Sequence, residues 1–337
     1  MSLEPRRRLT NRLIPLVGAG LAAAAWVGFG MDRAPTPPRD GEPGRLRPPA
    51  QRLQWGAYHI DWGARRYREG IETEAAQFAS KPAYLMFYRD LPRGYPRDFV
   101  EAIAARDATP IVSLELWEWG RGGRRGKFLS RINAGEYDAH FENWATAAKE
   151  HGQRVLLRFG FECNGEWFSW SGDPEGYVAA WRRIHSIFKR IGAANVEWVF
   201  SPNRNSVPDT PENAIHLYYP GDEYVDWVAA DGYNWGFAPK GWNKWESCQD
   251  VFEDVLKLFA ERYPSKPVMI AEFGSNEGEP GQKAQWIKDA YAWLSPQRQI
   301  HAAIWFNYDK RREGECDWRI ASSPESLRAF NESFAAP

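Results

Sequence analysis

Cysteine is scarce in this chain: Cys163, Cys248 and Cys316 are the whole supply. Three thiols without CxxC spacing exclude a disulfide framework and a zinc ribbon. At most one bridge could form, and Cys248–Cys316 is the pairing to consider. Histidine is also rare, with 6 scattered through 337 residues. Neither HExxH nor a glycine-rich phosphate loop occurs, so no metal and no cofactor is expected. Neither sign of charge is in excess, the 43 Lys+Arg and 44 Asp+Glu leaving a net charge of −1. That removes the electrostatic footprint of a nucleic-acid binder and the acidic excess of a disordered solvating chain.

Long apolar runs are missing too, apart from residues 13–31. Arg6, Arg7, Arg8 and Arg12 precede that run. This is the layout of a signal peptide or an uncleaved membrane anchor. No clean A-x-A exit precedes Asp32, which leans toward the anchor, and the adjacent arginines hint at twin-arginine export. Pro15, Gly18 and Gly20 weaken the alternative of a soluble helix. Residues 34–49 are rich in Pro, Arg and Gly and read as an extended tether, so residues 32–52 form a linker. The protein is expected outside the cytoplasm, whether secreted, periplasmic or tethered to a membrane, and as a monomer.

Aromatic residues, in contrast, are abundant: 18 Trp and 14 Tyr. Indole and phenol rings carry flat apolar faces and a polar edge, and such faces stack on the C–H faces of sugars. About half of them should simply be core. From residue 53 onward the chain alternates strand and helix. Strands are predicted at 53–60, 83–88, 109–114, 154–161, 196–201, 227–232, 267–273 and 302–307, each a short run of Val, Ile, Leu or aromatics suited to burial on both faces. Helices are predicted at 96–106, 136–150, 174–191, 248–263 and 283–294. Val178, Trp181, Ile184 and Phe188 recur at helical spacing, and Gly152 and Gly192 are natural stops. Eight such repeats fit a (β/α)8 TIM barrel forming a single catalytic domain over residues 53–337. A doubly wound sheet would usually bring a nucleotide fingerprint, which is absent.

In such barrels the active site lies at the carboxyl ends of the strands. Strand four ends at Glu162 and strand seven at Glu272, each where an apolar run meets a loop. Two carboxyls across a barrel mouth are what glycosidic cleavage needs: one protonates the leaving oxygen, and the other attacks the anomeric carbon or activates water. Glu115, Glu118 and Glu166 read as rim or loop charges. Asp231, at the end of strand six, could orient a neighbour by hydrogen bonding.

The run at residues 158–170 (RFGFECNGEWFSW) resembles the acid/base motif of glycoside hydrolase family 26, whose best-known members are β-mannanases. Gly172, Asp173 and Pro174 continue the match, as do the segments at 181–185, 198–203, 218–222, 225–227, 270–274 and 305–307. The resemblance implies specific roles. Glu162 would be the acid/base and Glu272 the nucleophile. Arg158 would be a cation on the site floor that helps keep the nucleophile ionised, or a structural ion pair, or both. Tyr233 would hydrogen-bond the nucleophile, unless it is a buried phenol satisfied elsewhere. Trp305 would be the platform under the sugar at the cleavage point, and Trp167 an aromatic on the leaving-group side. Either indole could instead be core, though strand-end loops are poor places to bury one.

One departure from the family pattern is Phe161, where a histidine usually precedes the acid/base. A ring without a hydrogen-bonding edge bears on mannan specificity more than on hydrolysis. Cys163 reads as packing, since no His is placed to activate it. The expected reaction is double displacement with retention, with Glu162 raised in pKa beside Phe159 and Phe161. The expected partner is a polysaccharide substrate, with β-1,4-mannan or a related mannose polymer first. Mixed-linkage β-glucan, β-1,3-xylan and an exopolysaccharide of the producer are the alternatives. A non-catalytic glycan-binding barrel and an accessory subunit of an export machine are the rival classes.

Overall fold

The computed structural model describes residue 47 and residues 51–58, 70, 72, 76–118, 128–238 and 243–336. The expected signal or anchor at 1–31 lies outside the described residues, as does most of the 32–52 linker. Among the described residues, no helix is long and apolar enough to cross a membrane.

The strands are β1 (Gln54–Tyr58), β2 (Tyr84–Asp90), β3 (Thr109–Glu115), β4 (Val155–Phe159), β5 (Val196–Phe200), β6 (Trp227–Asn234), β7 (Val268–Ser275) and β8 (Ile300–Phe306). Each pairs in parallel with the next, and β8 pairs with β1, so the sheet closes as the expected (β/α)8 barrel. The helices between them are α1 (Arg97–Ala104), α2 (Phe128–Asn133), α3 (Asp138–His151), α4 (Pro174–Ile191), α5 (Cys248–Arg262), α6 (Gln282–Leu294) and α7 (Pro324–Glu332). Helices α2 and α7 are additions to the sequence reading.

Local chemistry sets the helix ends. Asp173 caps α4 by accepting from the Gly176 N–H at 2.9 Å, with Pro174 in the first turn, where its missing N–H costs nothing. Ser247 and Asp250 form a reciprocal capping box on α5. Helices α3 and α4 both stop on a left-handed glycine, Gly152 and Gly192, as their positions predict.

Two apolar layers result. Met86, Ile111, Leu156, Val199, Ala229, Met269, Ala302 and Ile304 fill the barrel interior. A larger layer lies between strands and helices, where Trp144, Trp181, Trp198 and Phe188 pack together. Part of the linker region also packs. Arg47 is buried, its backbone N–H bonding Arg298 O at 2.9 Å and its guanidinium donating to Gln51 O at 2.9 Å.

Two departures from regular strand geometry place the site. In β7, Ile270 pairs with Ala230 but Glu272 pairs with Asp231, leaving Ala271 as an extra residue. Such a bulge turns two successive side chains to one face. Ala271 lines the interior, and Glu272 follows it inward. At the other point, β4 stops two residues earlier than predicted, because Gly160 and Glu162 both take left-handed backbone, φ 55° and 49°.

Trp181 is fully buried against Phe159, Trp198 and Phe200. Trp181→Ala is expected to cost about 3–5 kcal/mol of stability, read as a lowered denaturation midpoint in urea.

Candidate active site

At the centre of the barrel mouth lies Arg158, carried inward on β4 and wholly buried. Its Nη1 donates to Glu272 Oε1 at 2.8 Å and to Ser113 Oγ at 2.8 Å. Its Nη2 donates to Asp231 Oδ2 at 2.5 Å and to Ser201 Oγ at 3.1 Å. Burial opposes the guanidinium charge, but Asp231, Glu272 and Tyr88 more than offset it and raise its pKa further. Arg158 is thus both the site-floor cation and a structural ion pair. Asp231 takes the orienting role considered for it, and Ser201 Oγ also donates to its Oδ1 at 3.1 Å.

Glu272 is 5% exposed and accepts from three donors. Besides Arg158, Tyr88 OH donates to Oε1 at 2.5 Å and Tyr233 OH to Oε2 at 2.6 Å. Burial, then the adjacent Glu272, hold both phenols well above their ordinary pKa, so they stay protonated and serve as donors. These three bonds hold the carboxyl in place.

Glu162 stands across the mouth, half-buried, just beyond β4. Its backbone N–H donates to Ser201 O at 2.7 Å, which ties this left-handed residue to the end of β5. Asn203 Nδ2 donates to its Oε1 at 2.7 Å and Trp167 Nε1 to its Oε2 at 2.7 Å. Burial and then the neighbouring Glu272 push its pKa up to about 7, against the pull of the Asn203 and Trp167 bonds and of Arg158. The direction matches the sequence reading, but the cause is only partly the expected one. Phe159 points into the helix layer, against Trp181 and Trp198. Phe161 packs over the Arg158 guanidinium at 4.8 Å and edge-on against Tyr88 at 5.3 Å. Its ring is 3% exposed, so it supports the floor of the site and presents no edge to a ligand.

The structure therefore brings Glu162, Glu272, Arg158, Tyr233 and Trp167 into one site. Trp167, 39% exposed, flanks Glu162. Trp305 does not belong there, which corrects the platform assignment. The period of two along β8 sends Phe306 inward and Trp305 outward. The Trp305 indole is fully buried against Phe273 and Trp286, and its Nε1 donates to Trp318 O at 2.6 Å. It anchors the loop after β8 from behind. That loop returns Trp318 to the inner side, where its ring packs on Tyr233 at 4.8 Å and on Trp235 at 5.0 Å. The considered Cys248–Cys316 bridge is also absent. All three thiols are free and buried, Cys248 in the outer layer and Cys316 in the inner one.

Tyr88 and Asn203 are site residues that the sequence reading missed. Tyr88 was legible only as the last residue of a predicted strand. Asn203 closed one of the matched segments, but nothing in that segment says that its amide meets Glu162.

The sequence profile of Glycosyl hydrolase family 26 matches residues 132–313, from α2 to the loop after β8. This chain belongs to that family. Endoglucanase H of Acetivibrio thermocellus is 36% identical over 71% of the chain and 26% of its own length. Mannan endo-1,4-beta-mannosidase A and B of Caldalkalibacillus mannanilyticus is 34% identical over 40% of the chain and 24% of its own length. The chain thus spans about a quarter of these relatives. Among solved structures, the catalytic domain of a family 26 endo-β-1,4-mannanase from Bacillus sp. JAMB-750 superposes with a TM-score of 0.61 at 18% identity. That match covers 85% of this chain and 87% of that one, and establishes a common fold. The family 26 profile spans both Glu162 and Glu272, together with every side chain that binds them except Tyr88.

The two indoles should separate on mutation. Trp305→Ala is expected to cost about 3–5 kcal/mol, while Trp167→Ala changes stability by less than about 1 kcal/mol. Urea denaturation of the two variants checks this.

Proposed function

We propose that this barrel is a retaining glycoside hydrolase acting on a β-linked polysaccharide. One observation carries the reading. Across a single mouth, a carboxyl gripped by Arg158, Tyr88 and Tyr233 faces a second one whose pKa is pushed up to about 7. Two carboxyls in environments that differ this much divide naturally into nucleophile and acid.

Glu272 attacks the anomeric carbon while Glu162 gives its proton to the departing oxygen. As the new C–O bond draws charge from Glu272, Arg158 remains paired with Asp231, so the floor of the site does not come apart. Loss of negative charge at Glu272 also removes a cause of the raised Glu162 pKa. Glu162 then takes a proton from water, which attacks the same carbon and releases the sugar with its configuration retained. Retention calls for a carboxyl separation of about 5–5.5 Å.

For the substrate, β-1,4-mannan or a related mannose polymer stands first, supported by the mannan endo-1,4-beta-mannosidases of Caldalkalibacillus mannanilyticus and Bacillus subtilis. A β-glucan is the second reading. It is favoured by the broader match to Endoglucanase H. Export fits the basic, then apolar, then proline-rich start of the chain, which would bring the enzyme to polymers outside the cytoplasm.

Reducing-sugar release across mannan, lichenan, xylan and exopolysaccharides tests the reading. Activity on none of them would overturn it, and proton NMR of the first-formed anomer tests retention. Glu272→Ala is expected to lower kcat by roughly 10⁴-fold or more on every substrate. Since Glu162 acts as an acid only while protonated, kcat/KM should fall about tenfold per unit as pH rises above about 7. A rate that held level to pH 9 would remove Glu162 from that role.

A further inference from the structure

Asn164 lies two residues beyond Glu162, is wholly buried, and takes no part in the chemistry above. Its side chain grips both polar groups of one distant peptide segment. Its Oδ1 accepts the Asn203 backbone N–H at 2.8 Å, and its Nδ2 donates to Asn203 O at 3.0 Å. Its own carbonyl accepts from Val207 N–H at 2.8 Å and from Asn213 Nδ2 at 2.9 Å. Residues 203–213, the start of the loop after β5, are thereby fastened to the end of β4.

The fastening matters because ladder pairing between β4 and β5 runs only from Val155 with Val196 to Leu157 with Trp198. Beyond it, the Glu162 N–H to Ser201 O bond and the Asn164 clamp carry the register. Asn203 is then held at its backbone by Asn164 and at its side chain by the Asn205 N–H, which donates to Oδ1 at 3.1 Å. That second bond also fixes which end of the amide meets Glu162: the donor end.

We propose that Asn164 is a positioning residue for the acid/base, holding Asn203 so that its amide donates to Glu162. The role assigned to Glu162 rests on the hydrolase reading, but the positioning itself does not. The donor favours the charged carboxylate, so its loss raises the pKa of Glu162. The other groups facing Glu162 are Trp167 from its own loop, Arg158 on β4, Asp231 on β6 and Glu272 on β7. The Asn164 side chain bonds the Asn203 backbone and Ser206 Oγ and none of these groups, so removing the clamp should act through Asn203.

The Trp167 indole N–H is bonded to Glu162, so its ¹⁵N–¹H resonance reports that carboxyl without any substrate. The signal is assigned by its loss in Trp167→Phe. In Asn164→Ala its titration midpoint should rise by roughly one pH unit, and the falling limb of kcat/KM should move the same way. Asn203→Ala should shift both alike, and the double variant no further. A midpoint unmoved in Asn164→Ala, or shifts that simply add, would make Asn164 a structural residue only and overturn the proposal. If Asn164→Ala does not fold, Asn164→Ser, whose hydroxyl can meet only one of the two backbone groups, is read in the same way. Were the wild type to hydrolyse nothing, the proposed function would fall while the indole titration still decided this point.

Discussion

The site depends on one buried cation shared by two carboxylates. Arg158 has no exposure, and its two terminal nitrogens reach Asp231 on one side and Glu272 on the other. A guanidinium suits this place because its planar fork is rigid and always charged. Removing Arg158 would leave two carboxylates uncompensated in the interior, at a typical cost of about 3–5 kcal/mol. The arrangement thus joins folding to the proposed chemistry, since the contact that would orient the nucleophile also holds β4, β6 and β7 together. Phe161 completes it by covering the guanidinium with an aromatic face.

Around that cation, the two carboxyls are held in different ways. Glu272 sits on a strand and is fixed by rigid donors from β2, β4 and β6. Glu162 sits on a loop and is fixed by an indole and an amide. In the proposed reaction, the strand would give accuracy to the group that meets a carbon atom. The loop would give the other carboxyl access to the departing sugar and later to water. Asn164 extends the constraint on the loop side by fastening one loop to another.

Much of this was legible in the sequence, for identifiable reasons. Short apolar runs separated by amphipathic stretches specify the barrel, and a Glu at the end of such a run stands out because few residues there are charged. Trp305 was misread because a strand buried on both faces carries no alternation of polarity to fix its phase. Trp305 and Phe306 are equally apolar, and only packing decides which of them turns inward. The inward turn of Glu272 depends on the bulge at Ala271, which no local pattern announces. Tyr88 and Asn203 act through contacts spanning 184 and 41 residues, and single-chain periodicity carries no information about such partners.

The backbone of Glu162 carries a further implication. A left-handed conformation in a residue with a side chain costs roughly 1–2 kcal/mol, and the fold holds it there through its N–H, which donates to Ser201 O, and its carbonyl, which accepts from the Gly165 N–H. Glycine would adopt the same angles freely, though with some loss of chain entropy on folding. Selection for folding and selection for the proposed turnover would therefore pull in opposite directions at this residue. In a lineage that no longer needed the reaction, position 162 would be among the first to drift, and the drift would leave a sturdier, silent barrel.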